Sequence, residues 1–271
     1  MVAPLRTISR TQLSHIRDLI TTKRAREHER VFVLEGPKPL LELLHSTPHY
    51  VVTVVAVPGF IERLSPAVRQ QLLSSDCALY TCPEERLVRL SDVESSSGVL
   101  AIVRQPTWDQ FAVLAQPRVL GLYADMLQDP TNIGTIIRTA AGLNVSGLWL
   151  APQSVDVYNP KIVRATAGAL FQLPIFPDTA IEHLLKQDCM ILAADAATNG
   201  SLPIRSIQSL PARTIVAIGS ESRGLSDATL RAAKLRFTIP LKPGVESLNA
   251  AAAAAIALFH LSELPVSQHS V

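Results

Sequence analysis

The sequence predicts an α/β protein in two parts, a smaller N-terminal α/β domain followed by a larger domain with a parallel sheet flanked by helices. Three observations support this. Beyond residue 117, short apolar runs alternate with helical patterns at regular intervals, the mark of successive β-α-β units. Before it, two almost wholly β-branched or apolar runs, 51–57 and 99–103, stand among helical stretches. Between these regions, Gln105-Pro106 and Pro117 interrupt the chain. The expected division is therefore 1–106, a linker over 107–116, and 117–271.

In the first part, residues 11–30 are polar and charged, with Leu13, Ile16, Leu19 and Ile20 at helical spacing. A short apolar run at 31–34 follows, Gly36-Pro37 breaks the chain, and 40–44 resumes a helical pattern. In the second part the spacing predicts strands at 119–123, 147–150, 190–194, 215–218 and 236–239. Helices are predicted at 133–143, 161–167, 227–234 and 248–261. The alanine run 250–255 predicts a helix packed closely against a neighbour, at a core or a subunit interface. In sheets of this kind ligands bind at the carboxyl ends of the strands, so the loops leaving those ends are the candidate site.

Composition narrows the function. Of the 271 residues, 48% are hydrophobic and 18% charged, which excludes a disordered chain. Net charge is only +2, but residues 1–40 hold eight bases against four acids, a local excess suited to phosphate. The three cysteines form no C-x-x-C pair and no H-E-x-x-H occurs, so no metal site is expected and a reduced, cytoplasmic setting is. No secretory signal opens the sequence, and the longest apolar run, 250–259, is far short of the ~20 residues that cross a bilayer.

Three loops carry the chemistry. The first, Asp129-Pro-Thr-Asn-Ile-Gly-Thr-Ile-Ile-Arg138, leaves a strand and opens a helix, whose free amides and dipole suit an anion. Asn132 is either a helix cap or a site residue, and Arg138 either a surface charge or a planar fork for phosphate. The second, Ile218-Gly-Ser-Glu-Ser-Arg-Gly-Leu225, has neither the Lys-Ser/Thr of a P-loop nor G-x-G-x-x-G. Its Glu221 would repel phosphate, so a ligand with a cationic part is expected. The third, Ile239-Pro-Leu-Lys-Pro-Gly-Val-Glu-Ser247-Leu-Asn249-Ala, runs into the last helix, which Ser247 or Asn249 can cap.

Taken in order, N-I-G-x-I-x-R-T-A, G-S-E-x-x-G-L and I-P-L-x-x-x-x-E-S-L-N-A resemble the three signature motifs of the SpoU-type (TrmH-like) SPOUT RNA 2′-O-ribose methyltransferases, over residues 117–262. The segment 160–174 is similar to the family's inter-motif region, and residues 8–44 to the substrate-binding domain of rRNA-directed members, which has a ribosomal-protein-like α/β fold. Departures are small: Ser222 stands where glycine is frequent, and alanines follow Asn249 in place of V-S-V. The resemblance implies a trefoil-knotted SPOUT domain binding S-adenosylmethionine through Gly219, Ile239 and Leu248. It makes Asn132, Arg138, Glu221, Ser247 and Asn249 the polar site residues. It also implies an RNA partner, most readily rRNA, met by Arg24, Arg26, Arg138 and Arg164. Finally it implies a homodimer through the knotted domain, with Arg138 of one subunit near the other's cofactor site.

The reaction so implied places a ribose 2′-OH in line with an activated methyl and disposes of one proton. A guanidinium stays protonated in proteins, so charge stabilisation suits Arg138 better than a base role. The proton then passes to the RNA phosphate or a water, and Glu221 fixes its loop. A tRNA ribose as substrate, or an idle RNA-binding protein on the same fold, are the competing readings. A dinucleotide-binding protein is disfavoured by the missing glycine fingerprint.

Overall fold

The computed structural model describes residues 6–74, 77–90, 98–195, 200–220, 222–245 and 247–267. By internal contacts the chain forms two units, Met1–Pro106 with Tyr158–Gly168, and Thr107–Val157 with Ala169–Val271.

The first unit opens with a short strand, β1 (Arg6–Thr7), and α1 (Arg10–Thr21). Ser9 starts α1 through a reciprocal cap: its hydroxyl accepts from the Gln12 amide at 3.2 Å, and Gln12 Oε1 accepts from the Ser9 amide at 2.9 Å. The helical stretch expected over 11–30 breaks at Thr22, which is extended, and α2 (Lys23–Glu29) follows. Arg26 holds this break. It is only 3% exposed, and its Nη1 donates to the carbonyls of Leu19 at 2.6 Å and Ile20 at 3.0 Å. Those carbonyls lie in the last turn of α1, where no helix amide remains for them. The expectation that Arg26 meets RNA is thereby corrected: its fork is buried and spent on the backbone.

The unit continues with β2 (Val31–Glu35), α3 (Pro37–Ser46), β3 (Val51–Ala56), α4 (Pro58–Arg63), α5 (Pro66–Ser74), β4 (Ala78–Thr81), α6 (Glu84–Val88) and β5 (Val99–Arg104). Proline opens α3, α4 and α5, where its missing N–H costs nothing. The sheet order is β1-β4-β3-β5-β2, with β1, β4 and β3 parallel and β5 antiparallel to both β3 and β2. This is a mixed sheet. Strands β2 and β5 are buried along almost their whole length, which explains apolar runs without alternation.

The second unit begins with α7 (Gln110–Leu114), capped by Asp109, whose Oδ1 accepts from the Phe111 amide at 2.9 Å. Val113 and Leu114 lie in one buried cluster with Val119, Tyr123, Trp149 and Ile215. Residues 107–116 therefore belong to this unit's core rather than forming a free connection. Next come β6 (Val119–Asp125), α8 (Pro130–Gly142) and β7 (Gly147–Leu150). The helix α9 (Pro160–Ala165) belongs by its contacts to the first unit, where it packs on β2. The chain then gives β8 (Ile175–Phe176), α10 (Ile181–Leu185), β9 (Met190–Ala194), β10 (Leu202–Pro203), β11 (Arg213–Gly219), α11 (Asp227–Ala232), β12 (Leu235–Thr238) and α12 (Ala250–Ser262).

All six strand pairings in this second sheet, ordered β10-β12-β9-β11-β6-β7-β8, are parallel. The central β6 is buried at every position and β11 through Thr214–Ile218, so neither shows period-two alternation. Helix α12 packs against α8 with Ala250, Ala251, Ala254 and Ala257 buried; small side chains allow the close approach the alanine run predicted. No helix among the described residues is long and apolar enough to cross a membrane.

Arg26 and Arg24 give a paired stability test. Arg26→Ala leaves one buried and one half-buried carbonyl without this donor and should lower unfolding free energy by roughly 1–3 kcal/mol. Arg24 is exposed, and Arg24→Ala should change it by less than about 0.5 kcal/mol. Urea unfolding of both variants measures the difference, and equal effects would remove the structural role given to Arg26.

Candidate active site

The carboxyl ends of β9, β11 and β12 open into a cleft of about 650 Å³. Its walls include Asp195, Gly219, Ser220, Leu225, the segment from Phe237 to Val245, and Ser247, Leu248 and Ala250 at the approach to α12. Gly219, Ile239 and Leu248, the three positions expected to hold the cofactor, all line it, as does Ser247. A cleft of this size suits one ligand of cofactor dimensions. Its charged lining side chains among the described residues are Asp195 and Lys242, one of each sign. Asp195 is already paired with Arg236, whose Nη1 lies 3.8 Å from its Oδ2.

Gly219 shapes the cleft. A Cβ built there would overlap the Gly224 carbonyl and the Leu225 nitrogen, so the returning backbone lies directly on the 219 position. The return is a tight turn in which the Ser220 amide donates to Gly224 O at 3.1 Å and the Gly224 amide donates to Ser220 O at 2.8 Å. Gly224 closes it at φ +66°, a conformation that glycine adopts without strain. Asp125 fixes the far side. It is the residue beside Gly219 in the β6–β11 register, is 2% exposed, and its Oδ2 accepts from the Ser226 amide at 2.7 Å. Sequence reasoning passed over Asp125, although a lone acid ending an otherwise apolar strand was a visible signal.

The first and third loops meet through one pair of amides. Asp129, not Asn132, caps α8, accepting from the Thr131 amide at 2.7 Å with Pro130 behind it. Asn132 lies in the first turn of α8, 5% exposed, and its Oδ1 accepts from Asn249 Nδ2 at 2.8 Å. Asn249 in turn caps α12, its Oδ1 accepting from the amides of Ala251 at 3.0 Å and Ala252 at 3.2 Å. The cap is therefore Asn249 rather than Ser247, and its second function is to tie α12 to α8.

The remaining expected residues are spread more widely. Arg138 is exposed on α8, about 9 Å along the axis from Asn132. It is absent from the cleft wall, and its side chain makes no hydrogen bond or ion pair among the described residues. Arg164 lies in the first unit, its Nη1 3.4 Å from Glu35 Oε2. Arg24 is exposed and Arg26 buried. Glu221 lies outside the described residues. Burial pushes the Cys77 and Cys189 thiols up to about 11, so neither is a thiolate near neutral pH. Among the described residues no three His, Cys, Asp or Glu side chains group as metal ligands.

Comparison with known proteins gives this arrangement a family. Residues 120–259 match the SpoU rRNA Methylase family. An uncharacterized tRNA/rRNA methyltransferase of Synechocystis is 34% identical over 200 residues, covering 72% of this chain and 71% of that protein. The 23S rRNA (guanosine(2553)-2′-O)-methyltransferase RlmP of Bacillus subtilis is 27% identical over 89% of this chain and 92% of its own. Among solved structures, the SpoU methyltransferase AviRb of Streptomyces viridochromogenes, in complex with the cofactor AdoMet, superposes with a TM-score of 0.82 at 26% identity, covering 94% of this chain and 97% of that one. With the three loops brought to one sheet edge as the motif order implied, the chain belongs to the SpoU rRNA methylase family.

Proposed function

We propose that the protein transfers a methyl group from S-adenosylmethionine to the 2′-oxygen of a ribose in RNA, specifically in large-subunit rRNA. The observation that carries this is the cleft closed at Gly219, because the second and third motif loops form its walls and the first is tied to the third through Asn132 and Asn249. The 23S rRNA activity in the name of the Bacillus subtilis relative, similar over nine-tenths of this chain, points to the substrate. The cofactor in the superposed Streptomyces structure points to the methyl donor.

S-adenosylmethionine supplies a methyl group activated on sulfur. Gly219, Ile239 and Leu248 bring backbone close enough to hold it, and Ser247 at the cleft wall orients the ribose. The Asn132–Asn249 pair keeps the two loops at fixed separation, which preserves the in-line geometry. Arg138 binds the adjoining RNA phosphate and stabilises charge growing on the 2′-oxygen, whose proton leaves to that phosphate or to water.

Arg138 is absent from the cleft of its own subunit, so the reading includes a homodimer that brings a second Arg138 to each cleft. The exposed Ile256 and Phe259 on α12 give this second unit an apolar surface for it. The trefoil knot is part of the same reading, formed where 219–225 and 239–249 converge on one cleft. The first unit, with exposed Arg24 and the basic excess of residues 1–40, takes the RNA, and the protein works in the cytoplasm beside the ribosome.

Three outcomes test this. Gly219→Ala should weaken S-adenosylmethionine binding at least about tenfold in calorimetry, since roughly 1.4 kcal/mol of displaced backbone suffices. Unchanged affinity would mean that the ligand lies elsewhere. Arg138→Ala should keep cofactor affinity and lose about 10²–10³ in single-turnover methylation rate of rRNA fragments. At a cofactor concentration too low to load the Gly219 variant, mixing the two variants should recover activity that neither has alone, because a mixed dimer holds one complete site. No recovery after subunit exchange would place Arg138 in its own subunit's reaction.

A further inference from the structure

The first unit has its own small cleft of about 170 Å³, built between α1 and one face of the mixed sheet. Its floor is apolar: Ile8, Ile16, Val31 and Ile102, all buried. Its rim is polar, with Gln12 and His15 from α1, Glu29 at the end of α2, Thr53 on β3 and Tyr80 on β4. His15 Nε2 meets both Glu29 oxygens, at 2.9 and 2.7 Å, which fixes that edge. Gln12 Nε2, Thr53 Oγ1 and Tyr80 Oη have no hydrogen-bond partner among the described residues. Strand β3 carries a register shift between Val51 and Thr53 at this place, a bulge of the kind that re-aims side chains beside binding sites.

Resting on the reading of this unit as the RNA-binding part, we propose that the cleft reads one unpaired nucleobase of the RNA. Size sets the first limit, because 170 Å³ lies below the range of roughly 300–1,000 Å³ that encloses a cofactor-sized ligand. A single planar ring system fits. Chemistry sets the second: single-stranded RNA is read by splayed bases that lie against an aromatic ring and hydrogen-bond along their edges. Tyr80 supplies the ring, and Thr53 and Gln12 supply edge donors and acceptors. The Glu29 carboxylate accepts from an exocyclic amino group, so guanine, adenine or cytosine is favoured over uracil. Charge sets the third. Exposed Arg6 is the register partner of Tyr80 across β1–β4, and exposed Arg10 is two residues from both Ile8 and Gln12. A phosphate on either side of the inserted base meets a cation there.

The test uses the full chain with fragments of large-subunit rRNA. The double variant Thr53→Val with Tyr80→Phe removes two hydroxyls while keeping their shapes, and unchanged S-adenosylmethionine binding checks its fold. Its RNA affinity should fall about 5- to 100-fold with the salt dependence unaltered, because base contacts release no counterions. Arg6→Ala with Arg10→Ala should instead flatten the salt dependence by up to about two counterions' worth. Footprinting should show one unpaired nucleotide protected by the wild type and exposed with the hydroxyl variant. Making that nucleotide abasic should cost the wild type a similar factor and cost the variant little more. Wild-type affinity in the hydroxyl variant, full additivity with the abasic RNA, a preference for uracil, or a free nucleoside binding as tightly as the fragment would each overturn the proposal. If the variants bind normally while the wild type still methylates rRNA, only this pocket falls. If the wild type neither binds nor methylates rRNA, the functional reading falls with it.

Discussion

The cleft exists because one backbone segment lies directly on another. At Gly219 the chain leaves β11, turns through Ser220 and Gly224, and returns across its own path with no room for a side chain. Any larger residue would push the 224–225 peptide away and open the wall that it forms. Neighbouring features follow from this contact. Gly224 must adopt positive φ to close the turn, and Ser226 must present its amide to Asp125 to anchor the exit. The anchor is strong because Asp125 is buried and its carboxylate accepts a charge-assisted bond at the end of the strand paired with β11. A backbone shape held so closely can recognise a ligand without side chains of its own.

In each of the two units, buried polar groups have structural tasks. Asn132 and Asn249 are bonded to each other, and Asn249 also satisfies two amides of α12. Arg26 serves the end of α1. A buried polar group without partners costs free energy, so these side chains are held by the fold and keep fixed positions. Arg138 is the reverse case: charged, exposed, and free of partners among the described residues. The arrangement separates groups that hold the fold from the exposed cation that we propose meets a phosphate.

Most of the second unit was legible in the sequence because parallel strands buried on both faces are continuous apolar runs, and β6, β7, β9 and β11 read that way directly. The cleft positions were legible through motif order, which placed Gly219, Ile239, Ser247 and Leu248 together before any geometry was known. What was hidden depends on tertiary partners. The half-exposed β4 and the two-residue β1 and β8 lack a periodic signal. Arg26 looked like a surface cation because its neighbours are charged, and only the break at Thr22 shows that its fork turns inward. Asn249 was legible as a cap, but its tie to Asn132 depends on a partner 117 residues away.

The two clefts also differ in what selects their ligands. The one at the sheet end is closed by backbone packed on backbone at Gly219, so a side chain added there alters its shape. The one under α1 is shaped by side chains on an apolar floor, and its rim groups sit on four different elements. Exchanging Thr53, Tyr80 or Gln12 alters which base edge fits without touching the methyl-transfer cleft. A methyltransferase built this way can change its RNA target through the first unit while keeping one chemistry in the second. Selectivity of this kind appears in binding more than in the rate of the bound complex, because the rim contacts are made equally before and during transfer.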